Sequence, residues 1–90
     1  MAVRRHVYYC GTVQGVGFRY AVRRLARARD VAGFVRNLPD GDVEVVVEGS
    51  EAEVLGLLGE VEAEMRAYIR VARVIEEPPS GEFQGFGVVF

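Results

Sequence analysis

The sequence predicts an α+β sandwich in which two helices cover one face of an antiparallel sheet, in the order β-α-β-β-α-β. Three observations predict it. Arg5 to Val13 alternates with the period of a strand, and Phe18 to Arg29 repeats apolar residues with the period of a helix. Pro39-Asp40-Gly41 separates two further alternating runs, the mark of a hairpin. Ser50 stands three residues before Glu53, and an apolar helical repeat follows them, which is a capping box opening a second helix.

The first strand, Arg5 to Val13, places Val7 and Tyr9 on the face turned to the helices. Phe18, Val22, Leu25 and Ala28 form the inner stripe of the first helix, which is expected to stop near Asp30 to Gly33. Phe34 to Leu38 and Asp42 to Glu48 make the hairpin. Val43, Val45 and Val47 are read as its buried face, and Glu44 and Glu48 as its solvent face. Val54, Leu57, Leu58, Val61 and Met65 line the second helix. Gly56 and Gly59 weaken that helix by about 1 kcal/mol each relative to alanine, and are read as close helix–sheet approach. Tyr68 to Ile75 is the fourth strand, Glu76 to Glu82 a Pro/Gly-rich connector, and Phe83 to Phe90 a short final strand. The whole is a ferredoxin-like arrangement.

Ninety residues, half of them apolar, form one domain, residues 1–90. No apolar run approaches membrane-spanning length, and a cytoplasmic location is expected. A lone cysteine, Cys10, excludes an internal disulfide and Cys-based metal sites. The absence of lysine excludes Schiff-base chemistry and a Walker-type phosphate loop. Net charge is −2, without the basic footprint of a nucleic-acid binder. The charge is nonetheless uneven: Arg19, Arg23, Arg24, Arg27 and Arg29 crowd the first helix, and Glu51, Glu53, Glu60, Glu62 and Glu64 the second. Arg24, Arg27 and Arg29 are read as a solvated face, and His6 as a surface histidine.

Chemistry concentrates in Gln14-Gly15-Val16-Gly17-Phe18-Arg19, between the first strand and the first helix. A helix N-terminus leaves backbone N–H groups unpartnered and carries partial positive charge. Gly15 and Gly17 allow those groups to curl round an anion, and Arg19 adds a planar fork of donors suited to phosphate or carboxylate. The residues alone leave two readings open, an anion cradle and a plain glycine turn. Asn37 is likewise open, since Asn before Pro-Asp-Gly is ordinary turn chemistry.

The string Gly11-x-Val13-Gln14-Gly15-Val16-Gly17-Phe18-Arg19 resembles the phosphate-binding signature of the acylphosphatase family. Gly33-Phe34-Val35-Arg36-Asn37-Leu38-Pro39-Asp40-Gly41 resembles that family's second motif, with Phe34 where tryptophan is frequent. The two stand in the family's order and spacing. The resemblance implies a ferredoxin-like fold and metal-independent, cofactor-free hydrolysis of a small-molecule acyl phosphate. It also implies that Gln14 to Arg19 bind the phosphate and that the catalytic pair is Arg19 on the phosphate and Asn37 on the attacking water. Inorganic phosphate is then product and competitive inhibitor, and a monomer without nucleic-acid or membrane partners is expected. A phosphate-binding module without turnover is the rival reading within the family.

Overall fold

β1 (Ala2–Gly11) is an inner strand, hydrogen-bonded on one side to β3 (Val43–Ser50) and on the other to β4 (Ile69–Glu77), antiparallel to both. The computed structural model describes residues 2–90. β2 (Val31–Asn37) pairs antiparallel with β3, and β5 (Phe86–Val89) runs parallel to β2 at the edge, so the sheet reads β4-β1-β3-β2-β5. The four strands expected to be antiparallel are so. The fifth makes the sheet mixed, because the connector after β4 crosses the sheet before β5 begins.

Alternation along β1 and β3 buries Val7, Tyr9, Val43, Val45 and Val47 on one face. Against this face pack α1 (Phe18–Arg27), through Phe18 and Val22, and α2 (Glu51–Met65), through Val54, Leu57 and Val61. Each fully buried valine or leucine stabilises the fold by about 1.5–3 kcal/mol relative to exposure. The Tyr9 ring meets Phe18 at 5.0 Å between centroids, tying the first strand to the first turn of α1. Burial among these residues pushes the Tyr9 hydroxyl pKa upward, with the Glu62 charge adding to it.

α1 ends two residues before Arg29, with Ala28 and Arg29 N–H donating to the Leu25 and Ala26 carbonyls at 3.3 and 3.1 Å. α2 opens with the expected Ser50 cap, its Oγ accepting the Glu53 N–H at 3.3 Å, but the box is not closed, since the Glu53 carboxylate accepts the Asp30 N–H at 3.0 Å. Its glycines do not approach the sheet. A side chain at Gly56 would collide with the Arg29 guanidinium, and one at Gly59 would meet nothing within 4 Å. Two arginines read as solvated are in fact paired across the helix–helix contact. Arg24 bridges to Glu64, and Arg29 Nε to Glu60 at 2.6 Å. The basic helix and the acidic helix lie side by side, and their uneven charges answer one another.

The opposite sheet face overturns a second expectation: Glu44 and Glu48 are buried, 5% and 7% exposed. The Pro/Gly-rich connector folds back over this face, and Glu48 accepts the backbone N–H groups of Ser80 at 2.8 Å and Gly81 at 2.9 Å. Arg4 Nη1 donates to Glu48 at 3.1 Å, and Phe83 packs edge-on against Phe34. His6 is not a surface histidine either. Its Nε2 lies 2.6 Å from Glu44 and its Nδ1 3.1 Å from Glu77, with Arg36 bridging to the same Glu44. Charges removed from water are tolerable only when paired in this way.

Candidate active site

β1 ends in a bulge at Cys10 and Gly11, and the Thr12 N–H closes it by donating to the Tyr68 carbonyl at 3.0 Å. Buried Val13 and Phe18 then anchor the two ends of the loop, and the residues between them arch outward. Gly15 and Gly17 hold φ of 78° and 79°, a left-handed conformation that an L side chain would strain. A Cβ at either would meet nothing within 4 Å, so the arch faces open space. Gly17 is the N-cap of α1; no side chain caps the helix and no acidic residue stands in its first turn. Among the described residues the first-turn N–H groups of α1 have no side-chain cap, and such free N–H groups at a helix N-terminus are suited to bind anions.

Gln14 fixes this arch to the hairpin. Its Nε2 donates to the Leu38 carbonyl at 2.8 Å and to the Asp42 carbonyl at 2.9 Å. The hairpin turn between them is self-sufficient: Leu38 N–H donates to Asp42 O at 2.8 Å, and Asp42 N–H donates to the Asp40 carboxylate at 2.9 Å. Asn37, the last residue of β2, is not part of that turn chemistry. Among the described residues its side-chain amide has no hydrogen-bond partner, and it is half-buried beside the residue that Gln14 grips. This removes the turn explanation for the asparagine.

Arg19 sits in the first turn of α1, half-buried, with its guanidinium 4.9 Å from the centroid of the Phe90 ring. In the parallel pair of β2 and β5, Arg36 stands opposite Val89, the last residue of β5. Phe90 follows β5 directly, is 99% exposed, and turns its ring to the Arg19 guanidinium in a cation–π contact. Phe90, in contact with the candidate residue Arg19, was not singled out from the sequence. Its alternation with Phe86 and Val88 was visible, but the strand it would pair with was not.

The remaining candidates fall elsewhere. His6 is on the far sheet face, and Cys10 accepts a hydrogen bond from Arg70 Nη2 at 3.3 Å. A depression of about 560 Å3 beside Cys10 and Thr12 is rimmed by Asp40 and Asp42, charges unsuited to a phosphate. Among the described residues, no group of three or more His, Cys, Asp or Glu side chains could hold a metal ion.

Residues 5–88 match the family model described as acylphosphatase. The chain is 46% identical over 88 residues to an acylphosphatase of Thermococcus kodakarensis, spanning 97% of this chain and 96% of that one. With an acylphosphatase of Gloeobacter violaceus it shares 48% identity over 81 residues, 89% and 87% of the two chains. The crystal structure of acylphosphatase from Bacillus subtilis superposes with a TM-score of 0.88 at 30% identity, each chain covered in full.

Proposed function

Given that the chain belongs to the acylphosphatase family, whose activity is the hydrolysis of acyl phosphates to a carboxylate and inorganic phosphate, we propose that Arg19 and Asn37 are its catalytic pair. The substrate phosphate rests on the N–H groups of Gly15 to Arg19, and the Arg19 fork holds two of its oxygens. Asn37 orients a water on the face opposite the acyl oxygen. As the water oxygen bonds to phosphorus, the bond to the acyl oxygen breaks and its electron pair leaves with the carboxylate. The water proton passes to the phosphate. A carboxylate is a good leaving group, so no general acid is required, and positioning with charge stabilisation supplies the rate.

The observation that most supports this reading is the Gln14 clamp, which joins the glycine arch to the backbone beside Asn37. The same reading takes the chain as a monomer that acts without a metal and is inhibited competitively by phosphate. A cytoplasmic location accompanies it. No helix among the described residues is long and apolar enough to cross a membrane.

Substitutions at the two residues test the assignment because they should fail differently. Arg19 touches phosphate in ground and transition states, so Arg19→Ala should weaken phosphate binding and cut kcat/KM severely, with Arg19→Lys restoring little. Asn37 holds water, so Asn37→Ala should lower kcat while phosphate affinity stays near that of the wild type. A folded Asn37→Ala with near-normal kcat would remove Asn37 from the site. Phosphate binding without turnover in the wild type would make the chain a binding module instead.

A further inference from the structure

Arg19, Arg23 and Arg27 recur every fourth residue and so form one ridge along α1. Their neighbours Arg24 and Arg29 are neutralised by Glu64 and Glu60 of α2, but among the described residues none of the three ridge arginines forms an ion pair. All three line one cavity of about 460 Å3 between α1 and β5, together with Phe86, Phe90 and Tyr20, and no Asp or Glu side chain stands in its wall. Catalysis as described uses only Arg19. Two further arginines without ion-pair partners among the described residues, beside Phe86 and Phe90, form a cationic extension of the proposed phosphate site along the helix.

We infer that this extension selects acyl phosphates whose acyl part carries a second anionic group, and that Arg23 is the residue that receives it. Arg23 lies one helical turn from Arg19, about 6 Å along the axis. A short acyl chain laid over Phe90 covers that distance, placing a terminal carboxylate at Arg23 while the phosphate stays at Arg19. Arg27, a turn further on, raises the local potential and suits longer chains. The inference rests on the loop being the phosphate site. It adds a residue that acts on the acyl part, equally in ground and transition states, so its effect belongs in KM and not in kcat.

The test compares succinyl phosphate, which carries a free carboxylate, with benzoyl phosphate, which does not. In Arg23→Gln the ratio of KM for succinyl phosphate to KM for benzoyl phosphate should rise about fivefold, the scale of one partly exposed charge-assisted contact. Arg24→Gln removes the same charge from another face of the helix and should leave the ratio within about twofold. On the wild type, added sodium chloride should raise KM for succinyl phosphate more steeply than KM for benzoyl phosphate, a measurement that needs no variant. An Arg23→Gln that shifts both KM values alike, an Arg24→Gln that shifts the ratio as far, or equal salt slopes would each overturn the inference while leaving the phosphate site intact. A wild type that turns over neither substrate would overturn the phosphate-site reading and this inference with it.

Discussion

The side-chain amide of Gln14 donates to the backbone carbonyl of Leu38 at 2.8 Å, which couples the glycine arch directly to the residue following Asn37. The coupling is doubled by the bond to Asp42, and each of these carbonyls also accepts a backbone N–H of the turn. Phosphate loop and water-holding strand end are thereby held as one body, although 24 residues separate Gln14 from Leu38.

Gln14→Ala should therefore damage catalysis more than stability. The two carbonyls keep their turn bonds, so unfolding free energy should fall by only about 1–2 kcal/mol, the net value of the lost contacts. The distance between cradle and Asn37 is no longer fixed, and kcat should drop by about tenfold or more. Gln14→Glu should be worse on both counts, since it turns a carboxylate against two carbonyl oxygens. Urea melts with steady-state kinetics check this, and an unchanged kcat in Gln14→Ala would show that the clamp does not matter to turnover.

One substitution made at two glycines should have opposite signs. A Cβ at Gly33 would strike the Val46 carbonyl of the neighbouring strand, at φ 144°, so Gly33→Ala should cost about 3 kcal/mol or more. Gly59 lies within α2 with nothing within 4 Å of its Cβ position, so Gly59→Ala should stabilise by about 1 kcal/mol. Urea midpoints report both. A Gly33→Ala as stable as the wild type would mean that β2 and β3 can separate at no cost.

Stability should fall on acidification, and the far sheet face should carry much of the loss. Burial by itself would raise the Glu44 and Glu48 pKa values. Contacts with His6 and Arg36 at Glu44, and with the Ser80 and Gly81 N–H groups, the Ser80 hydroxyl and Arg4 at Glu48, hold both carboxyls below the usual range. Glu77 is also lowered, first by His6, against a small opposing effect of burial and with further help from Arg4. Each binds its proton less tightly folded than unfolded. Its contribution is thus complete above the ordinary glutamate value of about 4.3 and is lost as pH falls through the lowered folded value. Urea midpoints measured from about pH 6 to pH 3 should decline, and Glu48→Gln, already weaker at neutral pH, should decline less steeply. An identical slope in the variant would exclude Glu48 as a contributor.

Substrate choice should follow the leaving group. Acyl phosphates should exceed aryl phosphate monoesters in kcat/KM by about a hundredfold or more, since the site offers charge stabilisation without an acid. Inorganic phosphate should raise KM without altering kcat, and EDTA should leave the rate unchanged. Chelation that abolishes activity, with recovery on adding a divalent cation, would overturn the mechanism.

What the sequence determined by itself was local. Glycines at a strand-to-helix junction, Arg19 one turn in, the Asp40-Gly41 hairpin and the Ser50 cap are each decided by residues within a few positions of one another, because backbone sterics and helix-end hydrogen bonds act at that range. Periodicity also identified the core face, since Val43, Val45 and Val47 alternate whatever covers them. Which opposite face remains in water was decided only by the tertiary structure. Glu44 and Glu48 read as solvent-facing by the same alternation, yet the connector, which has no period of its own, returns over Glu48 with backbone donors, and His6 and Arg36 of neighbouring strands close on Glu44. The parallel register of β5 was equally beyond local reading, and β5 leads directly to Phe90, whose ring faces Arg19. Alternation tells which side a residue faces, but pairing partner and cover depend on where distant chain returns, and that is settled by the packing of the whole core.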